Sequence, residues 1–189
     1  MIRTFSVTGW GVTNCYFLGN AKGRGFLIDP GAEGERLLER LDAESLIVEK
    51  ILITHGHFDH IGAAPFLARA LQVPVLMRRD GRPYAESAWW NLSALAGEPL
   101  QLKDVTYFQA GDVIRLASDP AFAVEAIAAP GHTADGTVYY AASEQAAFVG
   151  DTIFAGSRGR TDLPGRDERA LLRSIQQLLL QLPEETRLY

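Results

Sequence analysis

The stretch Thr54-His55-Gly56-His57-Phe58-Asp59-His60-Ile61-Gly62 holds three of the chain's four histidines within six residues, with a carboxylate between the last two. Imidazole nitrogen and carboxylate oxygen suit zinc, manganese or iron, and no thiolate is required. A solitary histidine belongs more often to a surface or a satisfied core. Clustered imidazoles, in contrast, repel when protonated and need partners when buried. The H-x-H-x-D-H spacing therefore reads as a metal site. Such a donor set leaves a coordination position open for water, which a bound metal can acidify to near neutrality. A hydroxide shared by two ions would be poised to attack a carbonyl, and no serine or cysteine nucleophile is needed. A thioester suits this chemistry, because a thiolate departs with less help from a general acid than an amine does.

The elements that must position these residues follow from hydrophobic periodicity. Val48–Ile53 reads as a buried strand that delivers the histidines, and Gly56 and Gly62 let the backbone leave it and turn. Side chains two apart share a side of such an exit, so His55 and His57 can grip one ion. Asp59 and His60, after the bend, are free to face a second. Ahead lie strands over 2–8 and 13–19 around Gly9-Trp10-Gly11, and a third from Gly25 to Ile28. Asp29 is either a partner for a ligating histidine or a turn residue. Cys15 reads as a buried apolar thiol. The helix over 33–43 turns Leu37, Leu38 and Leu41 inward. A helix over 63–71 and a strand over 73–77 come next. A further helix is expected within 80–99, carrying Tyr84, Trp89, Trp90 and Leu92. Adjacent tryptophans cannot share one core face, so one lines a pocket or covers the core edge, the second reading being favoured. Strands follow over 113–116, 121–128, 137–141 and 146–149. Pro130-Gly131-His132-Thr133 and Gly150-Asp151-Thr152 close two of them, where sheet folds place functional groups. The last helix, 166–182, carries Leu171, Leu172, Ile175, Leu178 and Leu179 as its inner stripe, and Thr186–Tyr189 begins another strand.

With 189 residues, 47% of them hydrophobic and 22% charged, the composition predicts one globular domain over 1–189. A net charge of −5 argues against a nucleic-acid surface. One cysteine rules out an internal disulfide and suits a reducing compartment. Neither a signal-peptide core nor a membrane-length apolar run is present, which makes a cytoplasmic protein the expectation. Monomer and homodimer both remain open.

The histidine stretch, the Pro130–Thr133 turn and the Gly150–Thr152 turn, in that order, resemble the metallo-β-lactamase superfamily over essentially the whole chain. Gly150-Asp151-Thr152-Ile153-Phe154, followed by the run Gly156–Gly165, resembles its glyoxalase II-like branch in the short form. The resemblance implies an α/β fold, an αββα four-layer sandwich with the metals at one edge. It implies that His55, His57 and His132 bind the first metal, that Asp59 and His60 bind the second, and that Asp151 bridges them. It also implies hydrolysis of glutathione thioesters such as S-lactoylglutathione, with Asp59 and Asp151 as the catalytic carboxylates. Two zinc ions are the expected cofactor, with manganese or iron as alternatives.

Two departures from the family pattern stand out. His132-Thr133-Ala134-Asp135-Gly136 replaces a His-Thr-Pro-Gly-Ser pattern, altering the loop beside the first metal. The family also supplies another second-metal histidine, in a Pro-Gly-His-Gly turn after the final helix. This sequence ends at Tyr189, where that turn would begin, so the fold is expected to be truncated and its second site weak.

Arg158 and Arg160 are candidate contacts for an anionic substrate, although an Arg160–Asp162 brace is the favoured reading. A mononuclear iron persulfide dioxygenase shares the Gly159-Arg160-Thr161-Asp162 stretch and, by family analogy, would hold iron at His55, His132 and Asp151. A non-catalytic metal-binding module is the third reading, which the complete donor set for the first metal disfavours. A nuclease is disfavoured by charge, and a β-lactamase by the missing export signal.

Overall fold

The computed structural model describes residues 1–189. Its first sheet contains β1 (Ile2–Thr8), β2 (Val12–Gly19), β3 (Arg24–Ile28), β4 (Ile47–Leu52), β5 (Val75–Arg78) and β6 (Val105–Phe108), in that spatial order. β1 to β3 are antiparallel, whereas β3 to β6 run parallel. All three parallel connections carry helices, the longest being α1 (Gly34–Ala43) between β3 and β4 and α3 (Ala64–Leu71) between β4 and β5. A one-turn helix, α2 (Phe58–Ile61), interrupts the metal-binding stretch, and α4 (Arg82–Glu86) follows β5. The second sheet contains β7 (Val113–Arg115), β8 (Ala123–Ala128), β9 (Thr137–Ala141) and β10 (Ala146–Phe148). After the small hairpin β11 (Ile153–Phe154) and β12 (Ser157–Arg158), α5 (Glu168–Gln181) leads to β13 (Arg187–Leu188), which pairs parallel to β10.

Strand periodicity explains the layering, since successive side chains on a strand face opposite ways. On β2, Cys15 and Phe17 join Leu37, Leu41 and Leu67 beneath α1 and α3, while Leu18 turns to the other face. There Leu18, Phe26, Ile28 and Leu52 meet Val124, Ala126, Tyr139 and Phe148 of the second sheet. Val138 and Ala147, on the far face of the second sheet, pack with Leu178 of α5. Three apolar layers thus separate four layers of structure. The fold is the expected αββα sandwich. No helix is long and apolar enough to cross a membrane.

Several elements differ from the sequence-based expectation. No helix runs through Trp89 and Trp90, because Asn91, fully buried, organises that segment instead. Its amide donates to the Tyr84 and Leu100 carbonyls and its oxygen accepts from the Ser93 amide. Both tryptophans are exposed. On α5, Leu172 and Leu179 face solvent, and Ser174 takes the inner position between Leu171 and Leu178. The Ser174 hydroxyl donates to the Pro130 carbonyl, which removes the cost of burying it. β6 escaped the hydrophobic pattern because it is an edge strand with only Phe108 buried.

A bulge in β4 turns Glu49 towards the second sheet. Its carboxylate accepts from Arg24, from the Ala117 and Ser118 amides and from the Ser118 hydroxyl. Burial alone would raise this carboxyl. The Ser118 and Arg24 hydrogen bonds outweigh burial and hold it at about 2, below its usual 4.5. A carboxyl depressed on folding stabilises the fold above its unfolded value and ceases to do so as pH falls through its folded value. Glu49→Gln is therefore expected to cost stability at pH 7, with the deficit shrinking between about pH 4.5 and 2. Urea unfolding of both proteins across that range measures it, and a pH-independent deficit would contradict the assignment.

Candidate metal centre

The site lies where the loops after β3, β4, β8 and β10 converge at one edge of the sandwich. Asp29, the residue after β3, has φ +52°, a conformation tolerated by aspartate but uncommon outside glycine. Its carboxylate accepts from the Thr54 amide at 2.8 Å, from the Thr54 hydroxyl at 2.5 Å and from His60 Nδ1 at 2.9 Å. Asp29 is thus a buried partner of a histidine, which settles the choice the sequence left open. Gly31 permits the close packing of this loop on α2, since a Cβ there would lie 1.7 Å from the Asp59 carbonyl oxygen.

Three of the four histidines are oriented by the nitrogen turned away from the centre, whereas the outward Nε2 of His57 is buried without a hydrogen-bond partner. His60 Nδ1–H donates to Asp29, and His132 Nδ1–H donates to the Arg160 carbonyl at 2.8 Å. His55 Nδ1 lies 3.2 Å from the Thr54 hydroxyl, which already donates to Asp29, so the network assigns that proton to Nδ1. The inward-facing nitrogens then meet. His55 Nε2 lies 3.2 Å from His57 Nδ1, which lies 3.0 Å from His132 Nε2. Three ligands about 2.0–2.1 Å from a tetrahedral ion stand roughly 3.3 Å apart, so this spacing fits one metal.

Electrostatics agrees with geometry. Burial, reinforced by His60, His57 and His132, holds His55 well below the usual imidazole range. Burial and His132 bring His57 down to about 3. Both are therefore neutral near pH 7, the form that offers a lone pair to a metal. Burial would lower His60 as well, but Asp29 and Asp151 overcome it and hold that imidazole well above its usual range. These carboxylates call for positive charge at His60, which a proton or a metal ion on Nε2 can supply.

A second group of donors joins His55, His60 and Asp151 within 4.8 Å of one another. Asp151 Oδ1 is 3.3 Å from His60 Nε2 and Oδ2 is 3.5 Å from His132 Nε2, so the carboxylate lies between the two groups. Burial would raise Asp151, but hydrogen bonding to His60 and the neighbouring imidazoles lower it. Asp59 stands outside both groups, 3.9 Å from His60 Nε2 and a third exposed. Its place beside His60 on α2 turns it about 100° away, towards the rim. The six residues together can hold two ions, with Asp59 contributing least.

The favoured Arg160–Asp162 brace is present, and Arg158 is paired as well. Arg160 forms a two-pronged pair with Asp162, at 2.6 and 2.7 Å, and Arg158 pairs with Glu168 at 2.5 Å. Both guanidiniums are thus turned to neighbouring carboxylates. Arg160 serves the site through its backbone carbonyl on His132, a role that no side-chain pattern announces. Asp135 was also missed: burial pushes its carboxyl up to about 6, and it accepts from the Gly56 amide at 2.9 Å.

Two cavities meet at Thr13 and Asp59. The larger, about 770 Å³, is lined by Trp10, Phe58, Phe66, Glu33, Glu35 and Glu98, among others, and by no lysine, arginine or histidine. The smaller, about 360 Å³, reaches His60 and Asp151 directly.

Residues 8–189 match the model of the metallo-beta-lactamase superfamily. The hydroxyacylglutathione hydrolase GloC of Haemophilus influenzae is 31% identical over 91% of this chain and 81% of its own length. The crystal structure of the BLEG-1 B3 metallo-beta-lactamase superposes with a TM-score of 0.91 at 33% identity, covering 100% of this chain and 90% of that one. That of TTHA1623 in a di-iron-bound form gives 0.83 at 37% identity, covering 98% and 90%.

Proposed function

The chain belongs to the metallo-β-lactamase superfamily, and on that premise we propose that it is a metal-dependent hydrolase of thioesters, with glutathione thioesters such as S-lactoylglutathione as the substrate class. The observation that carries this reading is the convergence of two donor groups sharing His55 beside a cavity that reaches His60 and Asp151. Similarity to a hydroxyacylglutathione hydrolase supports the substrate class. His55, His57 and His132 would hold the first ion, and His60 with Asp151, joined least directly by Asp59, would hold the second.

Zinc is the first candidate, and the di-iron form of TTHA1623 keeps iron in view. Ions at these positions would acidify water and polarise the thioester carbonyl and its leaving sulfur. The protein's own part is orientation. Asp29 and the Arg160 carbonyl fix the tautomers of His60 and His132, so the nitrogens facing the centre stay unprotonated on metal binding. Asp59, at the mouth, is placed to accept a proton from the attacking water.

Thiol release from S-lactoylglutathione, with the bound metal identified by elemental analysis, tests the reading. Turnover that disappears with a chelator and returns with zinc is the expected result. A folded, metal-loaded protein that releases no thiol would overturn it, and one equivalent of iron with oxygen consumption on glutathione persulfide would replace it with the dioxygenase. The lining of the larger cavity adds a prediction. It offers Glu35 and Glu98 to the glutathione ammonium and no cation to its two carboxylates. KM for the glutathione thioester is therefore expected to exceed that for an uncharged thioester of the same acyl group, and Glu98→Gln, which removes a partner of the ammonium, to widen the gap.

A further inference from the structure

The loop after His132 is tied to the His55–His57 peptide by a carboxylate that is not itself among the metal donors. Asp135 is 1% exposed, and its Oδ2 accepts from the amide of Gly56, the one residue between His55 and His57. Gly56 has little freedom of its own, since a Cβ there would lie 2.3 Å from the Tyr84 Cβ. The loop carrying Asp135 is held from its other side. Arg78, at the end of β5 and 7% exposed, donates from Nη2 to the Ala134 carbonyl at 2.7 Å and from Nε to the Thr137 hydroxyl at 3.3 Å. That hydroxyl donates to the Asp135 carbonyl at 2.7 Å, and the Ala134 amide donates to the Tyr84 hydroxyl at 3.2 Å.

His55 and His57 leave the first sheet, whereas His132 leaves the second. Apart from packing between the sheets, the separation of these histidines depends on what bridges their loops. Asp135 is such a bridge, three residues along the chain from His132 and one hydrogen bond from the Gly56 amide. We propose that Asp135 is a positioning residue for the first metal group: it sets the distance of His55 and His57 from His132, and through that distance the affinity for the ion. The inference rests on the reading of the three histidines as a metal site.

Titration of metal-free protein with cobalt(II), with a competing chelator and the cobalt absorption spectrum as readouts, tests it. Asp135→Ala is expected to weaken the first equivalent by roughly 10–100-fold, the range for loss of an outer partner at a metal site, and to alter the spectrum. Asp135→Asn, whose side-chain carbonyl can accept the same bond, should restore both close to wild type. If Asp135→Ala fails to fold, Asp135→Ser, too short to reach Gly56, takes its place. A purely structural residue would lower the melting temperature and leave affinity and spectrum of the folded protein unchanged, and that result would overturn the proposal. Weak cobalt binding by the wild type would instead sink the metal-site reading itself.

Discussion

Asp151→Ala is expected to reduce hydrolysis by on the order of a thousandfold, above the roughly 10–100-fold that loss of an outer hydrogen-bond partner costs. Asp151 is the one carboxylate within the tight donor groups, and its two oxygens face His60 and His132 separately. In the proposed site its removal would take a donor from both groups and leave the cations held there without their counter-charge. The turn that aims it is closely packed: Gly150 has φ +50°, and a Cβ there would lie 2.4 Å from the Thr54 hydroxyl. The backbone should therefore hold its course in the variant, so the loss reports the side chain. Asp151→Asn, which keeps the shape and one oxygen, should retain part of the metal. Elemental analysis after dialysis and steady-state kinetics measure both effects. Turnover by Asp151→Ala within tenfold of wild type would contradict the bridging role.

Phe26→Ala is expected to cost roughly 3–5 kcal/mol of stability, the range for deleting a large aromatic side chain from a packed core. Phe26 is fully buried between the sheets and stacks on Phe122, with ring centroids 6.3 Å apart. That layer sets more than stability, because the donors hang from both of its walls. His55, His57 and His60 follow β4 of the first sheet, whereas His132 follows β8 and Asp151 follows β10 of the second. A loosened layer should thus weaken metal binding, although Phe26 touches no donor. Urea unfolding of the metal-free protein and chelator competition on the loaded one read the two effects separately. Leu172→Ala provides the control, since Leu172 is 45% exposed and its loss should stay within about 0.5 kcal/mol.

The donors of the histidine stretch were legible because chemistry restricts them to a few residue types, whereas His132 and Asp151 were assigned through the resemblance to the superfamily. Three histidines and an aspartate at H-x-H-x-D-H spacing announce a metal site without any fold, and alternating apolar residues placed the strands that deliver them. The four-layer architecture came from the resemblance to the superfamily, and period-2 alternation agrees with it, as Phe17 and Leu18 turn to opposite faces of the first sheet. Helix faces read less well. Leu172 and Leu179 look as apolar in sequence as Leu171 and Leu178, and the Ser174 bond to the Pro130 carbonyl decides which side of α5 is buried. The segment around Trp89 and Trp90 follows Asn91, whose bonds to the Tyr84 and Leu100 carbonyls no periodicity encodes. The same holds at the centre. Asp29, Asp135 and the Arg160 carbonyl act through partners 31, 79 and 28 residues away. A sequence names the groups able to bind an ion through their local chemistry. Which nitrogen each histidine presents, and how far apart the loops stand, depend on contacts between distant segments that exist only once the two sheets have packed.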